Sequence, residues 1–225
     1  MVARTLFTNI GQLVTNDSSL GDGLLGVIND AAMVLADGRV EWVGAAASAP
    51  AADTVVGCGG VAVIPGFVDS HAHLVFAGDR ADEFAARMAG EPYAAGGIRR
   101  TVGLTRSASD EVLQANVARL AGELLASGVT HFECKTGYGL SFDEELRGLR
   151  IAGEFTDDVT LLAAHVVPTE YEGRADDYVT MIIDDLLPAA VGSAKWVDVF
   201  CDRGAFSIEQ TRRIFTAAQQ LGFGL

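Results

Sequence analysis

His71 and His73 stand two residues apart in the segment Pro65-Gly-Phe-Val-Asp69-Ser-His71-Ala-His73-Leu74. In a strand, residues two apart share a face, so the two imidazoles are expected side by side, with Asp69 on the same face. Neutral imidazoles bind Zn2+ or Fe2+, and a pair at a strand end supplies half of a four-coordinate site. Two histidines alternating on an ordinary strand would read the same way. The Pro-Gly-Phe-Val-Asp lead-in, placed where the composition changes, favours the metal reading. Tyr138 lies between Gly137 and Gly139, where glycine lets the backbone approach a ligand and a phenol can hydrogen-bond it. The rival is a turn carrying an exposed aromatic. His165 precedes Pro168 at the end of an apolar run; by itself such a histidine is more often structural.

The elements that must hold these residues change character near Pro65. Before it, Arg4 to Thr8 reads as a strand, and Ala32 to Val43 reads as a hairpin turning at Asp37-Gly38. Residues 1–63 are assigned to a small β domain and 64–225 to a second region. There the pattern becomes strand, helix, strand, helix. Val61 to Val68 is predicted as a strand buried on both faces, and Val129 to Lys135, Val159 to Val167 and Trp196 to Cys201 as further strands. Helices are predicted over 107–127, from a Ser141/Glu144 capping box, over 176–187, and from a Ser207/Gln210 capping box to about Leu221. Gly222 to Leu225 reads as the opening of a fifth strand. Alternation of this kind implies a parallel sheet with right-handed crossovers. The fold class is α/β: the first four βα units of a (β/α)8 TIM-type barrel, preceded by the β domain. An open doubly wound sheet is the alternative.

The segment from Pro65 to Leu74 resembles the first barrel strand of the amidohydrolase superfamily, and the β domain before it resembles that superfamily's composite β-sandwich. Within the superfamily, five further stretches resemble the imidazolonepropionases of histidine degradation. They are Val75 to Phe84, Gly96 to Arg106, Glu133 to Leu140, Ala163 to Tyr171 and Asp198 to Ser207. The likeness runs through the chain in order, and Lys135-Thr-Gly-Tyr-Gly-Leu140 is its most specific part.

The resemblance implies hydrolysis of 4-imidazolone-5-propanoate to N-formimino-L-glutamate, with one Zn2+ or Fe activating a water. It makes His71 and His73 metal ligands and pairs Arg80 with the substrate propionate, as a forked guanidinium suits a carboxylate. Tyr93 and Tyr138 would line the substrate, Tyr93 after a loop shorter than in many relatives. His165 would hydrogen-bond the substrate or steady its oxyanion. Lys135 is not expected to be carboxylated, because the resemblance is to a one-metal enzyme. His131 is expected to pack against a helix. The family's remaining metal ligands and its acid/base group would fall beyond Leu225. These residues alone are therefore expected to be an inactive amino-terminal fragment, prone to self-association through an uncovered sheet, of a full-length homodimer.

The formal net charge of −14, from 16 basic and 30 acidic residues, opposes binding to nucleic acid or anionic membranes. There is no apolar run of about 18 residues to span a bilayer, nor a secretory leader. Cys58, Cys134 and Cys201 are odd in number and widely spaced, which predicts reduced core thiols of a cytoplasmic protein. Two other functions fit the same residues. One is a different cyclic amidohydrolase or aminohydrolase, which shares the His-x-His strand and is distinguished by Arg80, Tyr138 and His165. The other is a truncated remnant without catalysis.

Overall fold

The computed structural model describes residues 2–79, 81–90 and 96–225. The chain forms two compact units, Met1–Gly66 and Phe67–Leu225.

The first unit is one mixed sheet of β1 (Arg4–Val14), β2 (Val27–Ala36), β3 (Arg39–Ala45), β4 (Thr54–Gly57) and β5 (Ala62–Val63). The order is β3-β2-β1-β4, and β5 also pairs with β1. β2 and β3 are joined at Asp37 and Gly38, whose φ of 52° and 68° are the two positive values a type I′ turn needs. β1 pairs antiparallel with β2 and parallel with β4 and β5. Ile10, Leu13 and Ala31 form its small core, with Phe7, Ile28 and Met33 packed against them.

The second unit runs β6 (Phe67–Ala72), α1 (Ala81–Met88), α2 (Gly96–Ser107), α3 (Asp110–Ala126), β7 (Val129–Lys135) and α4 (Phe142–Gly153). β8 (Val159–Ala164) and α5 (Ala175–Met181) follow, then a π-helical turn Ile182–Leu186 that leads into α6 (Leu187–Ala190). β9 (Trp196–Val199) and α7 (Ile208–Gln220) complete it. The sheet order β6-β7-β8-β9 follows the sequence, and every pairing is parallel. Gly224 then bridges Trp196 in parallel, so the next strand position continues the same way round. A curled sheet built in one direction is part of an α/β barrel; a doubly wound sheet would reverse its strand order.

Several boundaries differ from the sequence reading. The apolar run at 61–68 is split between β5 and β6, because Pro65 brings no N–H to a ladder. The helix expected from Ser107 begins at Asp110, since Ser109 is its N-cap and accepts from Val112 N–H at 3.4 Å. Ser141 makes no side-chain cap bond; Glu144 instead pairs with Arg147 at 3.0 Å. The Ser207/Gln210 capping box is present, with reciprocal bonds of 2.9 and 3.2 Å.

The main core lies between the sheet and its helices. Leu161 and Ala163 of β8 and Cys134 of β7 pack with Leu149, Tyr178, Ile182, Leu186 and Ile214, all nearly inaccessible. Each large aliphatic side chain buried there contributes about 1.5–3 kcal/mol relative to exposure. Tyr178 keeps its hydroxyl satisfied on the Ala163 carbonyl at 3.0 Å. Of the three thiols, Cys134 is buried, Cys58 half-buried and Cys201 exposed, so the expectation of core thiols is corrected for Cys201, which follows the end of β9. No described helix is long and apolar enough to cross a membrane.

Candidate functional site

The C-terminal ends of β6, β7 and β8 bring together His71, His73, Tyr138 and His165. The rings of His71 and His73 are 5.3 Å apart, and His73 stacks on His165 at 5.2 Å with 17° between planes. Tyr138 sits 5.4 Å from His73 and 5.5 Å from His165. Phe76 lies 6.1 Å from Tyr138 and Phe200 lies 6.0 Å from His165. These two aromatic walls were not foreseen, since neither belongs to a spaced motif.

Two consecutive peptide carbonyls hold two of the imidazoles. His73 Nδ1 lies 3.2 Å from the Thr136 carbonyl oxygen, and His165 Nδ1 lies 2.9 Å from that of Gly137. A carbonyl only accepts, so each Nδ1 carries a proton, which in a neutral ring leaves the lone pair on Nε2. His73 is also kept neutral: burial, then the nearby His165 and His71, push its pKa down to about 4. A neutral ring with its lone pair on Nε2 is the form that binds a metal. Among the described residues, no group of three or more His, Cys, Asp or Glu side chains is placed to hold one ion.

Asp69 accepts the His71 backbone N–H at 3.1 Å. Irregular pairing between Asp69 and Ala72 breaks the strict alternation that would set Asp69 beside the histidines. Asp69 lines instead a hollow of about 430 Å3 with His131, Glu133, Lys135, Asp158 and Asp198. Lys135 Nζ lies 2.7 Å from Glu133 and 3.1 Å from Asp198. Burial disfavours its charge, but those two carboxylates outweigh it and raise its pKa. His131 is corrected: it pairs with the Asp158 carboxylate and is about half exposed, not packed on a helix. Arg80 and Tyr93 lie outside the described residues.

The loop carrying Tyr138 is shaped by Gly137, whose φ is +109°. A Cβ there would meet the Leu162 carbonyl at 2.8 Å and His165 Nδ1 at 2.9 Å, so only glycine lets the ring come this close. Glu145, fully buried in α4, accepts the N–H groups of Gly137, Gly139 and Leu140 at 3.2, 2.9 and 2.7 Å. Burial pushes its pKa up, against the hydrogen bonds from Thr136, Leu140, Gly139 and Gly137 that favour the carboxylate. The sequence reading passed over Glu145. Its signal was an acid on the face shared with Gly148, Leu149 and Ala152, at the three-, four- and seven-residue spacing of a helix's inner side.

No family model matches the chain. It is 59% identical over 212 residues to the imidazolonepropionase of Mycolicibacterium smegmatis, covering 94% of this chain and 54% of the relative. It is 59% identical over 213 residues to that of Nocardia farcinica, covering 95% and 54%. The chain spans about half the length of the curated relatives it matches. Among solved structures, a Xaa-Pro dipeptidase with bound methionine superposes with a TM-score of 0.60 at 13% identity, covering 98% of this chain and 55% of that one. A mutant atrazine chlorohydrolase from Arthrobacter aurescens TC1, complexed with zinc and atraton, gives 0.51 at 13% identity, covering 97% and 58%. At such identities the structural likeness concerns the fold alone.

Proposed function

We propose, taking this chain as part of an imidazolonepropionase, that the full-length protein adds water across the ring amide of 4-imidazolone-5-propanoate to give N-formimino-L-glutamate. The observation that carries this reading is the 59% identity to imidazolonepropionases over nearly the whole chain. In this reading the five-stranded sheet is one layer of a composite β-sandwich, the second unit belongs to the barrel, and the full-length protein is a homodimer.

His71 and His73 would hold a zinc or iron ion. The donor set fits: two imidazoles lie side by side on one strand end, and His73 is neutral with its lone pair on Nε2. When bound, the metal supplies an activated water and a Lewis acid for the ring carbonyl. His165, fixed through Nδ1, presents Nε2 to accept a hydrogen bond from a substrate ring N–H. The Tyr138 phenol, whose ring lies 5.4 Å from His73 and 5.5 Å from His165, would hydrogen-bond the substrate ring. Phe76 and Phe200 add apolar ring surface beside Tyr138 and His165. The reading gives Arg80 the propionate and Tyr93 a place in the pocket lining.

The test is turnover by the full-length protein, followed by loss of the imidazolone absorbance and appearance of formiminoglutamate. Activity should disappear on chelation and return with zinc or iron. Absence of turnover by the metal-loaded protein would overturn the proposal. Arg80→Met should lower kcat/KM by about tenfold or more, because the substrate carboxylate loses a charged, forked partner. An unchanged kcat/KM would point to a ring substrate without the acid tail.

A further inference from the structure

The loop between β7 and α4 is held on both sides by residues to which the reaction assigns no part. On one side stands the buried Glu145 carboxylate. One oxygen takes the N–H groups of Gly139 and Leu140, the other that of Gly137. On the other side, Arg106 Nε donates to the Gly139 carbonyl at 2.7 Å, and its Nη1 pairs with Glu170 in the segment after β8. Leu140 shows how firmly the loop is fixed. It is 2% exposed and has a φ of +52°, a left-handed conformation that costs a bulky side chain energy and persists only where its surroundings dictate it. Its N–H is one of those bound to Glu145.

This loop sets the histidines as well as Tyr138. The Thr136 and Gly137 carbonyls, which take the Nδ1 protons of His73 and His165, open the stretch whose next N–H groups Glu145 gathers. A rotation of the 136–137 peptide would turn the Thr136 carbonyl away from His73 and the Gly137 N–H away from Glu145 together, and the Gly137 carbonyl that holds His165 lies between this peptide and the 138–139 peptide that Glu145 also holds. The geometry points to Glu145 and Arg106 as positioning residues: a two-sided clamp on the Gly137–Leu140 loop that fixes the tautomer of His165 and the place of Tyr138.

The clamp can be read from imidazole tautomers, without reference to turnover. In full-length protein labelled with 15N-histidine, the His165 signals are identified by their loss in His165→Gln. Wild type should show His165 protonated at Nδ1. Glu145→Gln sets an amide N–H against the Gly137 N–H, so the His165 ring nitrogens should move toward the mixture of tautomers seen in an unconstrained imidazole. His131, which pairs with Asp158 away from the loop, should stay in place. Ile214→Ala, a core truncation in α7, provides a destabilised control that should leave His165 unchanged. Arg106→Met loosens the same loop from its more accessible side and should move His165 in the same direction, which keeps the test decisive if Glu145→Gln does not fold. Unmoved His165 signals in a folded variant of either residue would overturn the clamp, whatever its melting temperature.

The kinetic arm rests on the proposed hydrolysis. There Glu145→Gln should lower kcat about tenfold or more while KM stays within about threefold, as expected for misplaced rather than missing groups. A loss of kcat/KM carried by a raised KM alone, with kcat unchanged, would overturn the positioning role. If the wild-type enzyme shows no turnover, the hydrolase reading fails, and the tautomer measurement still decides the clamp.

Discussion

At the scale of single residues, the unit's charges are arranged in pairs that can be titrated apart. Asp158 is held by His131, then by Lys195 at 3.0 Å, and its pKa is lowered to about 2. An aspartate in the unfolded chain titrates near about 3.9. A depressed folded pKa means that the ionised carboxylate stabilises the fold above that value, and that this contribution disappears as pH falls through about 4 toward 2. Asp158→Asn should therefore melt below wild type at pH 6, and the two melting curves should draw together between pH 4 and 2. A gap that stayed constant through that window would refute the assignment.

At the scale of elements, the two serines that both read as capping boxes separate cleanly. Ser207→Ala removes a reciprocal pair of bonds at the start of α7 and should cost about 1 kcal/mol in denaturant unfolding. Ser141→Ala removes no side-chain bond and should cost measurably less; equal losses would mean that the α4 start is capped after all. The two motifs are indistinguishable as strings, because the choice of Glu144 between the helix start and Arg147 depends on a partner three residues away on the same turn. Strands were legible where apolar alternation was strong. β7 lies where it was read, and the Asp37-Gly38 turn follows from backbone sterics alone. The 61–68 run misled because hydrophobicity does not reveal which sheet a segment joins. Of the site, His71 and His73 were visible from type and spacing and Tyr138 from its flanking glycines, whereas His165 was singled out through the family resemblance. Glu145 and Arg106 were not singled out, since their task is to hold backbone groups, and no side-chain spacing records which peptides a loop will present.

At the scale of the whole molecule, the units differ in how much apolar surface each buries. Among the described residues, five small or medium apolar side chains (Ile10, Leu13, Ala31, Ala32 and Val34) are buried in the first unit, whereas the second unit packs helices over one face of its sheet. Each unit carries one tryptophan, Trp42 or Trp196, so single-tryptophan variants can report them one at a time. The Trp42 signal is expected to change at a lower urea concentration than the Trp196 signal, since resistance to unfolding grows with buried apolar area. The reverse order would show that the small core is stabilised by something other than its own packing. The opposite face of the second sheet is unusual in carrying Glu133, Lys135 and Asp198 as a linked set. Replacing one member strands the others, so Lys135→Met should be more disruptive than its single lost charge suggests.

The carbonyls that receive the protons of His73 and His165 belong to the peptide chain itself. Every amino acid brings one, so no codon change at 136 or 137 can delete either acceptor. Heredity can reach these two proton positions only through shape, by a residue too large for position 137 or by a change that lets the loop turn. In a saturation library the penalty should therefore fall on bulk at Gly137 and on the clamping side chains. At position 136 the Thr136 hydroxyl, which takes the Leu162 N–H at 3.1 Å, should make serine the best-tolerated replacement.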